Sequence, residues 1–443
     1  MGAKAPRRWY PILMIVMCIK LVLQAAISFR AAPKSMHIIL SQFVAVKNQA
    51  IPTYKSINRW LTQVGLYKLN CLKEQANDWA LIVDNSVQIG VHKFLVILGV
   101  RLSKLQGKAL TFEGMDVLVM EIHEKSDAKS VCKALERAQK KVGKVAMVCA
   151  DDGPDLRGGI VLFCDKHNVG RVFDTIHKIG TFLKKLLGKD PEWQAFASAA
   201  AEAKRKIQQT QAAHLAPPNQ RTKARFLNIE ILVHWGIDII MALESPKHPD
   251  KALLEKYCGW IRQHKELLER LKQMALISQK VRQHIREHGI CSTTGDQIDT
   301  LLENAMELSN FNEQACDYAG MLIDFFHEQS KVVPIGQIWV GSSEIIESLF
   351  GKLKSLEQDQ SKGGFTPLVL GVAACVGKVD ADIVSAAMRQ VGTADVDAWT
   401  KDQMGPTLLS KRRKALGSWR KKTRTKKVVH EQAGDLLMDV AGF

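Results

Sequence analysis

Acidic residues at three distant points of the chain have types and positions suited to metal-dependent chemistry. Asp84 and Asp151 each end a short apolar run, while Glu344 and Glu347 lie one helical turn apart in the amphipathic segment 341–354. Carboxylate oxygens bind Mg²⁺ or Mn²⁺ through few protein contacts and leave positions for water and substrate phosphate. Two such ions activate a water or 3′-hydroxyl and stabilise the leaving oxygen. Asp84, Asp151 and one of the two glutamates therefore predict phosphoryl transfer with two metal ions and without a protein nucleophile.

The two glutamates also have a purely structural explanation. Gly341, Ser342 and Ser343 are suited to capping a helix, and acids in the first turn interact favourably with its dipole. Only the distant aspartates favour chemistry over capping. The chain has no nucleophile elbow, phosphate-binding loop or dinucleotide fingerprint that would indicate another reaction.

Charge and cysteine content limit the partners and the compartment. The 443 residues carry a formal net charge of +17 with a pI near 9.4, which predicts a polyanionic partner, either nucleic acid or an anionic membrane surface. The nine cysteines are scattered singly and form no C-x-x-C pair. They indicate neither a zinc site nor a disulfide framework, so we expect reduced thiols and a cytoplasmic, nucleoid-associated protein.

The apolar run from Trp9 to Ile27 resembles a membrane anchor only superficially. Lys20 and Gln24 interrupt it, and its unbroken core is shorter than the roughly 20 residues that a membrane helix needs. We expect a buried helix and no membrane partner.

The elements that would position the acids follow in a clear order. Residues 1–72 are predicted to form a helix-turn-helix region, in which the helix from Tyr54 to Val64, ended by Gly65, would present Lys55, Asn58 and Arg59 to DNA. An ordinary surface helix would have the same pattern.

Three strands, a helix, a strand, a helix and a fifth strand come next, which predicts a mixed α/β domain with acids at strand ends. We place the first part of this domain at 73–180, a helical insertion at 181–335, its C-terminal helices at 336–400 and a basic tail at 401–443.

Two basic segments are candidates for contact with phosphates. Arg221, Lys223 and Arg225 follow paired prolines, and the tail carries dense positive charge that includes Lys411, Arg412 and Arg413. A solvated linker and a solvated tail are the alternatives.

Five segments together resemble the DDE transposases of bacterial insertion sequences, in which a helix-turn-helix region precedes an RNase-H-like catalytic domain interrupted by a helical insertion. The segments are 79–90, 150–156, 174–178, 216–225 and 342–354. Each is short, and their order and spacing carry the resemblance.

The resemblance implies a role for each matching residue. Asp84, Asp151 and Glu347 would be the metal ligands, because the family pattern S-N-x-x-E-x-x-N-x-x-x-K has its glutamate where Glu347 stands. Glu344 then occupies the position of the asparagine, and it stays the alternative ligand. Asp152 departs from the pattern, because an acid follows the second aspartate where the family often has a small residue. Lys354, on the same helix as Glu347, would contact a phosphate.

Asp174 and His177 match the acid and histidine that follow the fifth strand in the family. The resemblance implies that they orient a ligand or the scissile phosphate.

The function expected on this basis is that of a DNA transposase that cleaves the ends of its element and joins the 3′-hydroxyls to a target. Its partners would be double-stranded DNA and further copies of the chain at synapsis. The alternatives are an RNase-H-like nuclease without strand transfer and a catalytically inactive DNA-binding protein derived from a transposase.

Overall fold

The computed structural model of the protein describes most of the chain. The described residues are 9–42, 50–89, 92–105, 109–123, 127–151, 153–220, 226, 229–307, 311–358, 366–406 and 410–417. Asp152, Arg221, Lys223 and Arg225, together with the tail beyond residue 417, therefore lie outside the described residues.

A five-stranded mixed sheet forms the centre of the molecule. Its strands are β1 (Ala76–Ile89), β2 (His92–Arg101), β3 (Asp116–His123), β4 (Gly143–Ala150) and β5 (Gly170–Phe173). The order is β3-β2-β1-β4-β5, with β1, β2 and β3 antiparallel and β4 and β5 parallel to β1. The predicted mixed α/β class is confirmed, and this arrangement is consistent with an RNase-H-like sheet.

The register between β1 and β4 brings two distant parts of the sequence to one level. Val83 pairs with Ala150 in the parallel ladder, so Asp84 and Asp151 are the next residues along neighbouring strands. Successive side chains of a strand point to opposite faces of the sheet. Asp84 therefore shares a face with Ile82, on the side of the sheet opposite Val83.

Two helices cover the face that Val83 occupies. They are α5 (Ala128–Val142) and α6 (Pro154–His167), which pack on each other and enclose a separate apolar cluster. A short helix, α4 (Leu102–Leu105), follows β2.

The other face of the sheet is covered by helices from distant parts of the chain. After β5 the helices are α7 (Thr175–Leu187), α8 (Pro191–Ile207), α9 (Ile229–Glu244), α10 (Lys251–Cys258), α11 (Lys265–His288), α12 (Thr294–Glu307), α13 (Glu313–Lys331) and α14 (Glu344–Gln358). Helix α14 lies against β1, where Phe350 contacts Phe94 of β2 at a ring-centroid distance of 6.2 Å. The helical insertion thus separates β5 from α14 in sequence, while both belong to the core around the sheet.

The N-terminal helices pack against the last helices of the described chain. The group consists of α1 (Ile12–Leu23), α2 (Ala31–Ser41), α3 (Tyr54–Asn70), α15 (Leu370–Cys375), α16 (Ala381–Gln390) and α17 (Thr393–Met404). Helix α1 is mostly buried in this group, as its apolar run predicts. In the part of the chain that the structure describes, no helix combines the length and the apolar character needed to cross a membrane.

Helix α3 differs from the predicted recognition helix in both length and surroundings. It continues five residues past Gly65, so the predicted stop there is wrong. The Lys55 and Arg59 side chains are exposed and Asn58 is half-buried, but most of the helix beyond them is buried against α15 and α16. Lys68 Nζ donates hydrogen bonds to the carbonyl oxygens of three residues at the end of α15: Ala374, Val376 and Gly377. In this structure α3 is the centre of a helical group, and DNA binding by its first turn stays a prediction.

Gly65 has a packing role inside α3 and is not a helix stop. A Cβ atom at this position would lie 2.0 Å from the carbonyl oxygen of Leu370 and 2.8 Å from its carbonyl carbon. Only a residue without a side chain permits this approach of α3 to α15.

We expect Gly65→Ala to lower the free energy of unfolding by about 2–3 kcal/mol, because backbone atoms of α15 must shift to admit the methyl group. Gly320→Ala in α13 is the matched control, since a Cβ there meets nothing within 4 Å and gains about 0.5–1 kcal/mol in helix propensity. Urea unfolding of both variants measures the difference. Equal effects of the two substitutions would contradict this packing role.

Candidate active site

Asp84 and Asp151 interact electrostatically across the β1–β4 pair. Asp151 directly follows β4, but the prediction that the first strand ends at Asp84 is wrong, because β1 stays paired with β2 beyond this residue and continues to Ile89. Burial raises the pKa of the Asp84 carboxyl to about 7, and the negative charge of Asp151 adds to this shift. Glu347 raises the same pKa more weakly, while His177 lowers it. These four side chains, which come from β1, the end of β4, α7 and α14, therefore form one electrostatic cluster.

Helix α14 separates the two glutamates that the sequence leaves as alternatives. Glu347 Oε1 lies 3.5 Å from His177 Nε2, on the side of the aspartates. Glu344 instead accepts hydrogen bonds from Arg286 Nη2 of α11, at 3.0 Å to Oε2 and 3.3 Å to Oε1. The acidic cluster thus includes Glu347, whereas Glu344 is engaged by the helical insertion.

Asp174 connects the elements that carry His177 and Glu347. Its side chain is 1% exposed and caps α7 by accepting a hydrogen bond of 2.9 Å from the backbone N–H of His177. Oδ2 also accepts hydrogen bonds from the backbone N–H and the hydroxyl of Ser343, directly before α14. Two backbone hydrogen bonds hold the same junction: Asp174 N–H donates to Ala150 O at 2.9 Å, and Thr175 N–H donates to Gly341 O at 3.0 Å. Asp174 therefore acts on protein groups and positions the site.

The same hydrogen bonds set the charge of Asp174. Burial alone would raise the pKa of this carboxyl, but hydrogen bonds and charge from His177 and hydrogen bonds from Ser343 lower it below its ordinary value. Asp174 is consequently a buried carboxylate at neutral pH.

His177 lies among carboxylates on several sides. Its Nδ1 is 3.4 Å from Asp174 Oδ1, opposite the Glu347 contact. Burial lowers the pKa of the imidazole, but the hydrogen bond and charge of Asp174, followed by the charges of Asp151 and Glu347, outweigh burial and raise the pKa to about 9. His177 is therefore an imidazolium at neutral pH and partly neutralises the cluster.

The carboxylates of the acidic cluster are chemically suited to a divalent cation, although they do not surround one in this geometry. Among the residues that the structure describes, no three His, Cys, Asp or Glu side chains are placed so as to surround a metal ion. However, a carboxyl whose pKa is raised by burial and neighbouring carboxylates, as at Asp84, is one that a nearby divalent cation would ionise. Mg²⁺ needs only one or two carboxylates in addition to water and phosphate oxygens. Asp84, Asp151 and Glu347 thus fit the chemistry of a Mg²⁺ site.

The remaining predicted contacts with DNA lie away from this cluster or outside the described chain. Lys354 is exposed further along α14, and Lys411, Arg412 and Arg413 are exposed on a helical segment at residues 410–417. Their contact with phosphates stays a prediction.

Two residues next to the cluster were missed by sequence reasoning. Ser343 belongs to a predicted cap, but nothing in its surroundings in the sequence indicates that it binds Asp174, 169 residues away. Arg286 is one of many charged residues in a long helix, and its spacing carries no signal.

Comparison with known proteins gives only distant structural likeness. No protein-family model matches the chain, and no curated protein matches it. A solved structure, the Drosophila P element transposase strand transfer complex, aligns with 87% of this chain and 94% of that chain, at 11% sequence identity and a TM-score of 0.39. A TM-score of this size does not establish a shared fold.

We expect Asp84→Asn to make the metal-free protein more stable at pH 8. A raised carboxyl pKa contributes stability that is complete below pH 3.8 and is lost as the pH rises to about 7, so ionised Asp84 is penalised at pH 8 beside Asp151 and Glu347. The neutral amide removes this penalty, by on the order of 2 kcal/mol.

Urea unfolding in EDTA at pH 8 and pH 4.5 tests this, with the gain shrinking at the lower pH. A gain that is the same at both pH values would contradict the assigned charge.

We expect Asp174→Ala to lower the free energy of unfolding by about 3 kcal/mol, because Ser343 and His177 lose a buried charged acceptor. Asp380→Ala is the matched control, since Asp380 caps α16 through Ile383 N–H and its loss costs about 1 kcal/mol. The imidazole pKa, followed by NMR, should also fall in Asp174→Ala. Equal stability losses and an unchanged imidazole pKa would show that Asp174 is only a helix cap.

Proposed function

We propose that the protein is a DNA transposase that cleaves DNA and transfers the 3′-ends with a D-D-E set of carboxylates. The observation that carries this proposal is the convergence of Asp84, Asp151 and Glu347 from β1, the end of β4 and α14. These residues are as much as 263 positions apart in the sequence, yet they influence one carboxyl pKa. The strand order, which is consistent with an RNase-H-like sheet, supports the same function.

Each residue of the site has a defined task in this proposal. Asp84, Asp151 and Glu347 would hold two Mg²⁺ or Mn²⁺ ions. When bound, these ions supply activation of a water or 3′-hydroxyl and stabilisation of the leaving oxygen. His177 limits the repulsion among the carboxylates before DNA arrives, and Asp174 fixes both the imidazole and the start of α14.

The net charge of +17 favours DNA over a small phosphate ester as substrate. Basic residues that are exposed, at Lys55, Arg59, Lys354 and in the segment from Lys411, would contact the DNA backbone. We further propose that two or more copies of the chain assemble on the two ends of the element. A nuclease without strand transfer would use the same site, and the reaction products distinguish it from a transposase.

We expect cleavage and strand transfer on DNA that carries the sequences flanking the gene when Mg²⁺ or Mn²⁺ is present. We expect neither reaction in buffer that contains EDTA and no added divalent metal. Asp84→Asn, Asp151→Asn and Glu347→Gln should each lower the cleavage rate at least about a hundredfold, since direct ligands matter more than their supporting residues. Glu357→Gln, on the last turns of α14, is the matched control. Mg²⁺ should also raise the thermal stability of the unchanged protein and not that of Asp84→Asn.

Absence of metal-dependent cleavage by the unchanged protein would contradict the proposed enzyme activity. Cleaved DNA with free 3′-ends and no joined products would indicate a nuclease without strand transfer. A loss in Glu344→Gln as large as that in Glu347→Gln would show that the ligand on α14 is not Glu347 alone.

A further inference from the structure

The helical insertion contributes a cation at the edge of the acidic cluster. Arg286, near the end of α11, forms an ion pair with Glu344 on the first turn of α14. The side chains of this pair are 63% and 39% exposed, respectively. Arg286, Glu344, Glu347 and Ser348 together line one open depression of the surface. The guanidinium is therefore accessible to a ligand that occupies the cluster.

Arg282 lies one turn earlier on α11 and has a different environment. It is 19% exposed and forms an ion pair with Glu230 of α9, so it links two helices of the insertion. Arg286 is the more accessible of the two arginines, and its own partner is itself exposed.

The Arg286–Glu344 pair costs little to exchange for a better acceptor. Exposed ion pairs contribute about 0–1 kcal/mol, because water and salt screen them. In this pair a single nitrogen, Arg286 Nη2, donates to both carboxylate oxygens of Glu344. A phosphate group can instead accept two parallel charge-assisted hydrogen bonds from a guanidinium, which is the stronger geometry. A DNA backbone near the cluster would thus compete successfully with Glu344 for Arg286.

The spacing of the two glutamates fixes which phosphate would be bound. Glu344 and Glu347 are three residues apart, which corresponds to a rise of about 4.5 Å along α14. An anion that replaces Glu344 at Arg286 would consequently lie beside the position that Glu347 serves, and not at that position.

We propose that Arg286 binds a backbone phosphate next to the scissile phosphate, and that Glu344 holds the guanidinium while DNA is absent. This inference rests on the proposed function, since it assumes that DNA occupies the acidic cluster. It assigns the insertion a direct part in binding the strand to be cut. It also gives Glu344 the role of an internal competitor of DNA.

The test is fluorescence anisotropy of a labelled DNA duplex in EDTA, where cleavage does not occur, over a range of salt concentrations. Arg286→Ala should weaken binding by about five- to tenfold and reduce the salt slope by about one. Arg286→Lys should retain the slope but bind more weakly than the unchanged protein, because lysine lacks the bidentate geometry. Thermal unfolding checks that each variant is folded.

Glu344→Gln should tighten binding by about threefold, since it releases Arg286. In the Arg286→Ala background the same change should have little effect. If Glu344 acted only by repelling DNA, Glu344→Gln would tighten binding equally in both backgrounds, and the competition would be refuted.

The ion pair between Arg262 and Glu255 provides a matched control within the insertion. Its side chains are 48% and 43% exposed, and Arg262→Ala removes the same charge from a pair outside the depression. Equal weakening by Arg262→Ala and Arg286→Ala would show that only overall charge matters and would overturn the inference. Unchanged DNA affinity in Arg286→Ala would overturn this inference and leave the proposed function intact. Failure of the unchanged protein to bind DNA would overturn both.

Discussion

The site depends on one buried carboxylate, that of Asp174. It follows the short strand β5, caps α7 and binds Ser343 at the start of α14, so a single side chain joins two segments separated by the whole helical insertion. Because the carboxylate is buried, the hydrogen bonds from Ser343 and His177 N–H cannot be exchanged for water at low cost. The position of Glu347 relative to the sheet follows from this connection.

The insertion returns the chain to the sheet through a second set of contacts. Ile290, just after α11, pairs with Trp339 in an isolated antiparallel bridge. Trp339 in turn lies against Gly170, where a Cβ would be 2.0 Å from the indole ring. The insertion is therefore closed at its base beside β5, and α14 begins a few residues later. This closure allows α11 to place Arg286 next to the first turn of α14.

Much of the fold follows from local patterns in the sequence. The five strands were predictable because each contains a short apolar run, and Asp84 and Asp151 are visible where two of these runs end. The continuation of β1 past Asp84 to Ile89 was not predictable from that run, because it depends on pairing with β2. The choice between Glu344 and Glu347 could not be predicted from local patterns, because both lie in the same helical turn. They differ in their tertiary contacts, which are Arg286 for Glu344 and His177 for Glu347. The burial of α3 could not be predicted either, because it depends on contact between Gly65 and Leu370, which is 305 residues away.

The central claim is that Asp84, Asp151 and Glu347 bind divalent metal ions together, and anomalous diffraction from crystals soaked in Mn²⁺ tests it most directly. We predict anomalous peaks between the two aspartates and Glu347, with the Glu344 carboxylate outside the coordination sphere. The same peaks should be lost in crystals of Asp84→Asn. Mn²⁺ bound elsewhere with none at Asp84 and Asp151, or bound through Glu344 in place of Glu347, would contradict the account.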